Sequence, residues 1–191
     1  MFRRCRTVGA LFAVVLSVPL AACGAQPGAT APVTTTSTLT TTSANATATR
    51  PAAAAIPEQL KFTVQTTDGQ SFSGESLAGK KVVLWFWAPW CPKCRAEAPR
   101  VAAAAQANTG KISFVGVAAQ DDLPAMKKFV ADYKVGGFTH LADLDAAIWT
   151  RFGITQQPAY AFIGPDGKVD VVKQQLSESA LADRLDALIA A

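Results

Sequence analysis

The chain has 191 residues, half of them hydrophobic and 17% charged, which suits one globular domain with or without a tail and is too short for two full-sized ones. Its formal charge is +4, but Arg3, Arg4 and Arg6 fall within the first six positions, and without them the excess is only +1. A basic surface for nucleic acid is therefore not indicated.

Residues 1–6 carry the positive charge of an export signal, and Thr7–Leu20 follows as a fourteen-residue apolar run. That is short for a bilayer span of about 20 residues and right for the core of a signal peptide. The run ends in Leu20-Ala21-Ala22-Cys23, which resembles the bacterial lipobox. Residues 1–22 are thus expected to be a lipoprotein signal peptide and Cys23 the acylated N-terminus, anchoring the protein by lipid (palmitate included) to the extracytoplasmic face of the cell membrane. The other reading is an ordinary signal peptide with Cys23 incidental.

Residues 23–57 form the expected linker. Ten threonines lie between Thr30 and Thr49, with Ala, Pro and Ser filling most of the rest. Such a composition cannot bury enough surface to offset its ordering entropy, and a disordered tether is expected. The domain is placed at 58–191.

Within it, Leu60–Gln65 alternates, Asp68-Gly69 turns and Ser71-Phe72 returns, predicting a hairpin. Val82–Trp87 is continuously apolar, as in a strand buried on both faces. A helix is predicted over Cys91–Asn108, then a strand at Ile112–Val117. Asp121/Asp122 and Pro124 open a helix to about Tyr133. Phe138–Leu141 is a short strand, Asp143/Asp145 open a helix to Gly153, Tyr160–Ile163 and Lys168–Val172 flank a turn, and Ser177–Ala190 is a closing amphipathic helix. This order implies an α/β mixed sheet covered by helices.

Cys5 leaves with the signal and Cys23 is assigned to the anchor, so Cys91 and Cys94 remain as one Cys-x-x-Cys pair. A lone close pair in an exported chain is not a structural disulfide framework. At a helix start the Cys91 sulfur would face unpaired N–H groups and the positive end of the helix dipole, which favours the reactive thiolate. Pro92 suits the first helical turn, Lys93 adds positive charge, and Cys94 lies on the same face, close enough to bond Cys91. Stabilising the thiolate stabilises the reduced form and makes the disulfide a stronger oxidant.

Trp87-Ala88-Pro89-Trp90-Cys91-Pro92-Lys93-Cys94 resembles the thioredoxin signature, and Gln157-Pro158 before a strand resembles the cis-proline loop of that fold. The hairpin and the long interval from Cys94 to Pro158 are similar to the exported TlpA/ResA/DsbE branch, and among these to the actinobacterial DsbE/DsbF thiol–disulfide oxidoreductases. The resemblance implies a thioredoxin fold with an N-terminal β-hairpin and a central strand–helix insertion. It also implies a cis Gln157–Pro158 bond, with the Gln157 backbone pairing to an extended client. Where thioredoxin carries a buried Asp, six residues before the first cysteine, this chain has Trp85. Glu97 matches the Glu of the ResA-like pattern and is a candidate proton shuttle; the competing reading is a solvated helix-surface Glu paired with Arg100 or Arg95. Pro99 resembles the family's kink proline.

Trp87 and Trp90 are expected to form an apolar collar around the thiols, with Trp87 touching clients and Trp90 tuning the pair; plain packing is the alternative. Trp85 and Trp149 are expected in the core, and His140 on a partly exposed strand. One histidine gives too few ligands for a structural zinc, so no metal and no cofactor are expected. The expected activity is oxidation of exported Cys-containing proteins, with a membrane redox partner recycling the pair. A specific reductant of the cytochrome c maturation type is the alternative enzyme. A metal-carrying or chaperone-like lipoprotein would be indifferent to loss of both thiols.

Overall fold

In the computed structural model the described residues are 56–191. The expected signal segment 1–22, Cys23 and all of the expected 23–57 linker except its last two residues lie outside them. A hairpin of β1 (Thr63–Gln65) and β2 (Ser71–Ser73) is followed by β3 (Val82–Trp87), α1 (Pro92–Ala107), β4 (Ser113–Ala118) and α2 (Leu123–Asp132). Then come β5 (Thr139–Ala142), α3 (Ala147–Arg151), β6 (Ala159–Ile163), β7 (Val169–Val172) and α4 (Glu178–Ala190). The main sheet has the order β5-β4-β3-β6-β7. Its β3, β4 and β5 run parallel, whereas β6 and β7 are antiparallel to their neighbours, giving a mixed sheet.

The apolar run of β3 is central because it has no face fit for water: all six of its residues are buried. Val83, Trp85 and Trp87 project to the side covered by α1, α2 and α4. Val82, Leu84 and Phe86 project to the side closed by Leu60, Leu77, Ile148, Trp149 and Phe152. Burying each such large side chain contributes about 1.5–3 kcal/mol. Among the described residues no helix is long and apolar enough to cross a membrane.

Three local expectations change. Leu60 belongs to a 3-10 turn, Glu58–Leu60, rather than to the hairpin, and is fully buried. The short hairpin docks on the outer edge of β5, through a Thr66–Leu141 bridge and a hydrogen bond from the Thr67 N–H to the His140 carbonyl (2.8 Å), which covers an otherwise open sheet edge. The helix after Asp143 starts late. Asp143 accepts from the N–H groups of Ile148 (3.1 Å) and Trp149 (2.9 Å), while Ala146 takes a left-handed φ of 56°, so only Ala147–Arg151 is helical.

His140 is the third correction: it is 3% exposed, not a half-open strand residue. Gly116 lies opposite it on β4, and a Cβ there would meet His140 Nδ1 at 2.1 Å. The missing side chain is the space the imidazole fills.

Candidate active site

β3 ends at Trp87, and the chain turns through Ala88–Trp90 so that Cys91 caps α1. The Cys91 sulfur accepts the Cys94 backbone N–H at 3.2 Å, and Pro92 occupies the first turn, where a backbone donor is not needed. Both cysteines are free thiols. Cys94 has no exposed surface whereas Cys91 keeps 3%, so access ranks Cys91 first. Burial, and then the hydrogen bond with Cys91, push the Cys94 thiol well above the ordinary range. One sulfur thus meets a backbone donor at a helix start while the other is held as a thiol.

Lys93 and Pro92 are exposed on the outer face of this turn. The Lys93 carbonyl takes a hydrogen bond from Gln175 Nε2 (3.1 Å), which ties the β7–α4 loop to the Cys-x-x-Cys turn. Arg95 braces the loop from the other side, with Nε and Nη2 both donating to the Pro89 carbonyl at 2.9 and 2.8 Å. Neither brace is visible in the sequence, because both depend on how a loop folds back on a helix.

The Gln157–Pro158 peptide is cis. Because β6 is antiparallel to β3 with Ala159 opposite Phe86, one further step of the register sets Pro158 against Trp87. The proline loop therefore lies at the sheet end where β3 delivers Cys91. Pro158 is buried and Gln157 half-buried.

The two collar tryptophans separate. Trp90 is 49% exposed, its indole N–H held by the Gln120 carbonyl at 3.1 Å, so it offers an apolar face next to the thiols. Trp87 offers none: it is sealed, stacked on Phe129 with ring centroids 4.1 Å apart, and donates to His140 Nδ1 at 3.3 Å. Contact between Trp87 and a client is thus corrected to a supporting position beneath the loop. His140 uses its other nitrogen on the Val135 carbonyl (2.9 Å), and burial pushes its pKa down to about 4. It is a neutral prop.

Glu97 is fully buried, three residues after Cys94. Its Oε1 accepts from Trp85 Nε1 at 2.7 Å and its Oε2 from Arg100 Nη2 at 3.2 Å. The pairing with Arg100 matches the helix-surface reading, but the solvation does not, and burial raises the Glu97 pKa. Trp85 sits in the core and is also the strand's donor to this carboxylate. Pro99 stands inside an unbroken α1 on its exposed side. No group of three or more His, Cys, Asp or Glu side chains gathers into a metal-binding set among the described residues.

A Cys-x-x-Cys pair at the head of a helix, fed by the central strand of such a mixed sheet and faced by a cis-proline loop, defines a thioredoxin-fold thiol–disulfide oxidoreductase. The chain belongs to the Redoxin family, whose sequence model matches residues 26–187. It is 44% identical over 141 residues to the soluble secreted antigen MPT53 of Mycobacterium tuberculosis, covering 72% of this chain and 80% of that one. It is similar to the solved structure of MTB dsbF, with 53% identity and a TM-score of 0.68, over 70% of this chain and 98% of the other. To the thiol-disulfide oxidoreductase ResA of Bacillus subtilis it is 28% identical over 127 residues, 65% of this chain and 70% of that one.

Proposed function

We propose that this oxidoreductase works as an oxidase outside the cytoplasmic membrane, forming disulfides in exported Cys-containing proteins. The observation that carries the direction is the Cys94 N–H donated to the Cys91 sulfur at the head of α1, a hydrogen bond to the free sulfur that supports the reduced pair. Exposed Lys93 places a positive charge beside the pair, and Pro92 keeps the first turn in place.

In the oxidative cycle a client thiolate attacks Cys91 of the Cys91–Cys94 disulfide. The S–S bond breaks, a client–Cys91 bond forms, and Cys94 departs. Its buried site disfavours a thiolate, so departure is eased by a proton from Glu97, whose raised pKa makes it a donor. The second client thiol then gives its proton to solvent and attacks the client sulfur of the mixed disulfide, releasing Cys91. Two electrons have passed from client to enzyme, and a membrane redox partner removes them for the next cycle. Clients dock along Gln157–Pro158 and the face of Trp90, with the Gln157 backbone pairing to an extended segment.

The secreted relative supports export, and the lipobox-like Leu20-Ala21-Ala22-Cys23 supports a lipid anchor on the extracytoplasmic face. A specific reductant is the second reading, supported by the likeness to ResA and by Glu97 three residues after the second cysteine. Equilibration with glutathione separates the two. An oxidase has a potential of about −120 to −180 mV, whereas a value near −270 mV contradicts the oxidase assignment.

A further inference from the structure

Tyr160 is fully buried, and its hydroxyl has no hydrogen-bond partner among the described residues. It stands on β6 directly opposite Trp85, the residue whose indole N–H holds Glu97. Both rings project to the side covered by α1, and the Tyr160 hydroxyl and the Glu97 carboxyl influence each other's ionisation. The groups facing Glu97 are Cys94 and Arg100 on its own helix, Trp85 from β3 and Tyr160 from β6. On the far side of Arg100, α4 brings Glu178 and Asp186 to a shared cleft.

The hydrogen-bonding capacities of these groups differ. Trp85 and Arg100 can only donate, so they satisfy an ionised Glu97 and cannot accept the proton of a neutral one. A thiol is a weak acceptor. A hydroxyl both donates and accepts, and Tyr160 carries the only one among the groups named. We propose that Tyr160 is the positioning residue for Glu97: its hydroxyl donates to the ionised carboxylate and turns to accept from the protonated acid, keeping the carboxyl aimed at Cys94 in both states. This rests on the reading that Glu97 exchanges a proton with Cys94.

The test uses the full chain carrying Tyr160→Phe, which keeps the ring stacked on Phe162 and removes one oxygen. The rate at which a small dithiol reduces the Cys91–Cys94 disulfide is followed against pH in the native protein, Tyr160→Phe, Glu97→Gln and the double variant. The inflection that vanishes in Glu97→Gln is expected to move upward by about one pH unit in Tyr160→Phe, since the hydrogen bond lost from the charged form is stronger than the one lost from the neutral acid. The double variant is expected to match Glu97→Gln. An inflection that vanishes in Glu97→Gln but stays in place in Tyr160→Phe overturns the role of Tyr160 alone. One that survives in Glu97→Gln overturns the proton role of Glu97 and the proposal with it. In the protein unaltered at residue 160, a tyrosine C–O infrared band should shift with the same titration and stay still in Glu97→Gln; a band still in both contradicts the proposal.

Discussion

Trp85 Nε1 donates to Glu97 Oε1 at 2.7 Å, tying the middle of the central strand to the second turn of the active-site helix. Trp85 occupies the position at which thioredoxin carries its buried Asp, so here the buried acid comes from the helix and the strand supplies the donor that holds it.

Glu97→Gln is expected to slow the reduction of the Cys91–Cys94 disulfide by about 100-fold at pH 7 while leaving alkylation of Cys91 in the reduced protein unchanged. Stopped-flow reduction and alkylation rates check the two halves separately. Stability gives a second readout. The folded Glu97 pKa lies above its unfolded value, so the native state holds the extra proton in that window and stability declines as pH rises through it. Urea midpoints against pH should lose that decline in Glu97→Gln.

His140 works in the opposite direction. Its pKa falls from 6.5 to about 4 on burial, so the unfolded chain binds the proton first and stability is lost as pH falls from 6.5 towards 4. The loss is on the order of 3 kcal/mol once pH is below the folded value. A His140→Asn variant should show a flatter midpoint-against-pH curve over that range; an unaltered slope contradicts a neutral buried imidazole.

Gly116→Ala should be harmful although alanine is small. The added Cβ would approach His140 Nδ1 at 2.1 Å and Trp87 Nε1 at 2.9 Å, both in packed surroundings. The expected cost is about 1–3 kcal/mol, read as a lower thermal midpoint, and combining it with His140→Ala should recover part of the loss.

Arg95→Lys keeps the charge but not the two-pronged grip on the Pro89 carbonyl. Thiol exchange at Cys91 should slow while stability falls by only about 1 kcal/mol. An unchanged exchange rate would show that the loop before Cys91 holds its shape without this brace.

Much of the fold was legible because the deciding signals are local. Val82–Trp87 is apolar at every position, Asp122 and Ser177 cap α2 and α4 as their side chains suggest, and Cys91 falls one residue before α1. The misses arise where two elements meet. The burial of His140 depends on which β4 residue lies beside it, and a bare glycine in the sequence carries no register. The sealing of Trp87 comes from Phe129 on α2, 42 positions away. The late start of α3 comes from one left-handed residue, Ala146, a conformation that alanine rarely announces. Glu97 had its position legible from its spacing to Cys94, but not the indole that holds it.

The central claim is that Cys91 is the sulfur that exchanges with clients while Cys94 waits behind it. Timed alkylation of the reduced full chain at neutral pH, read by peptide mass mapping, measures this directly. Label is expected on Cys91 well before Cys94, and alkylation of Cys94 first, or of both at one rate, would contradict the account.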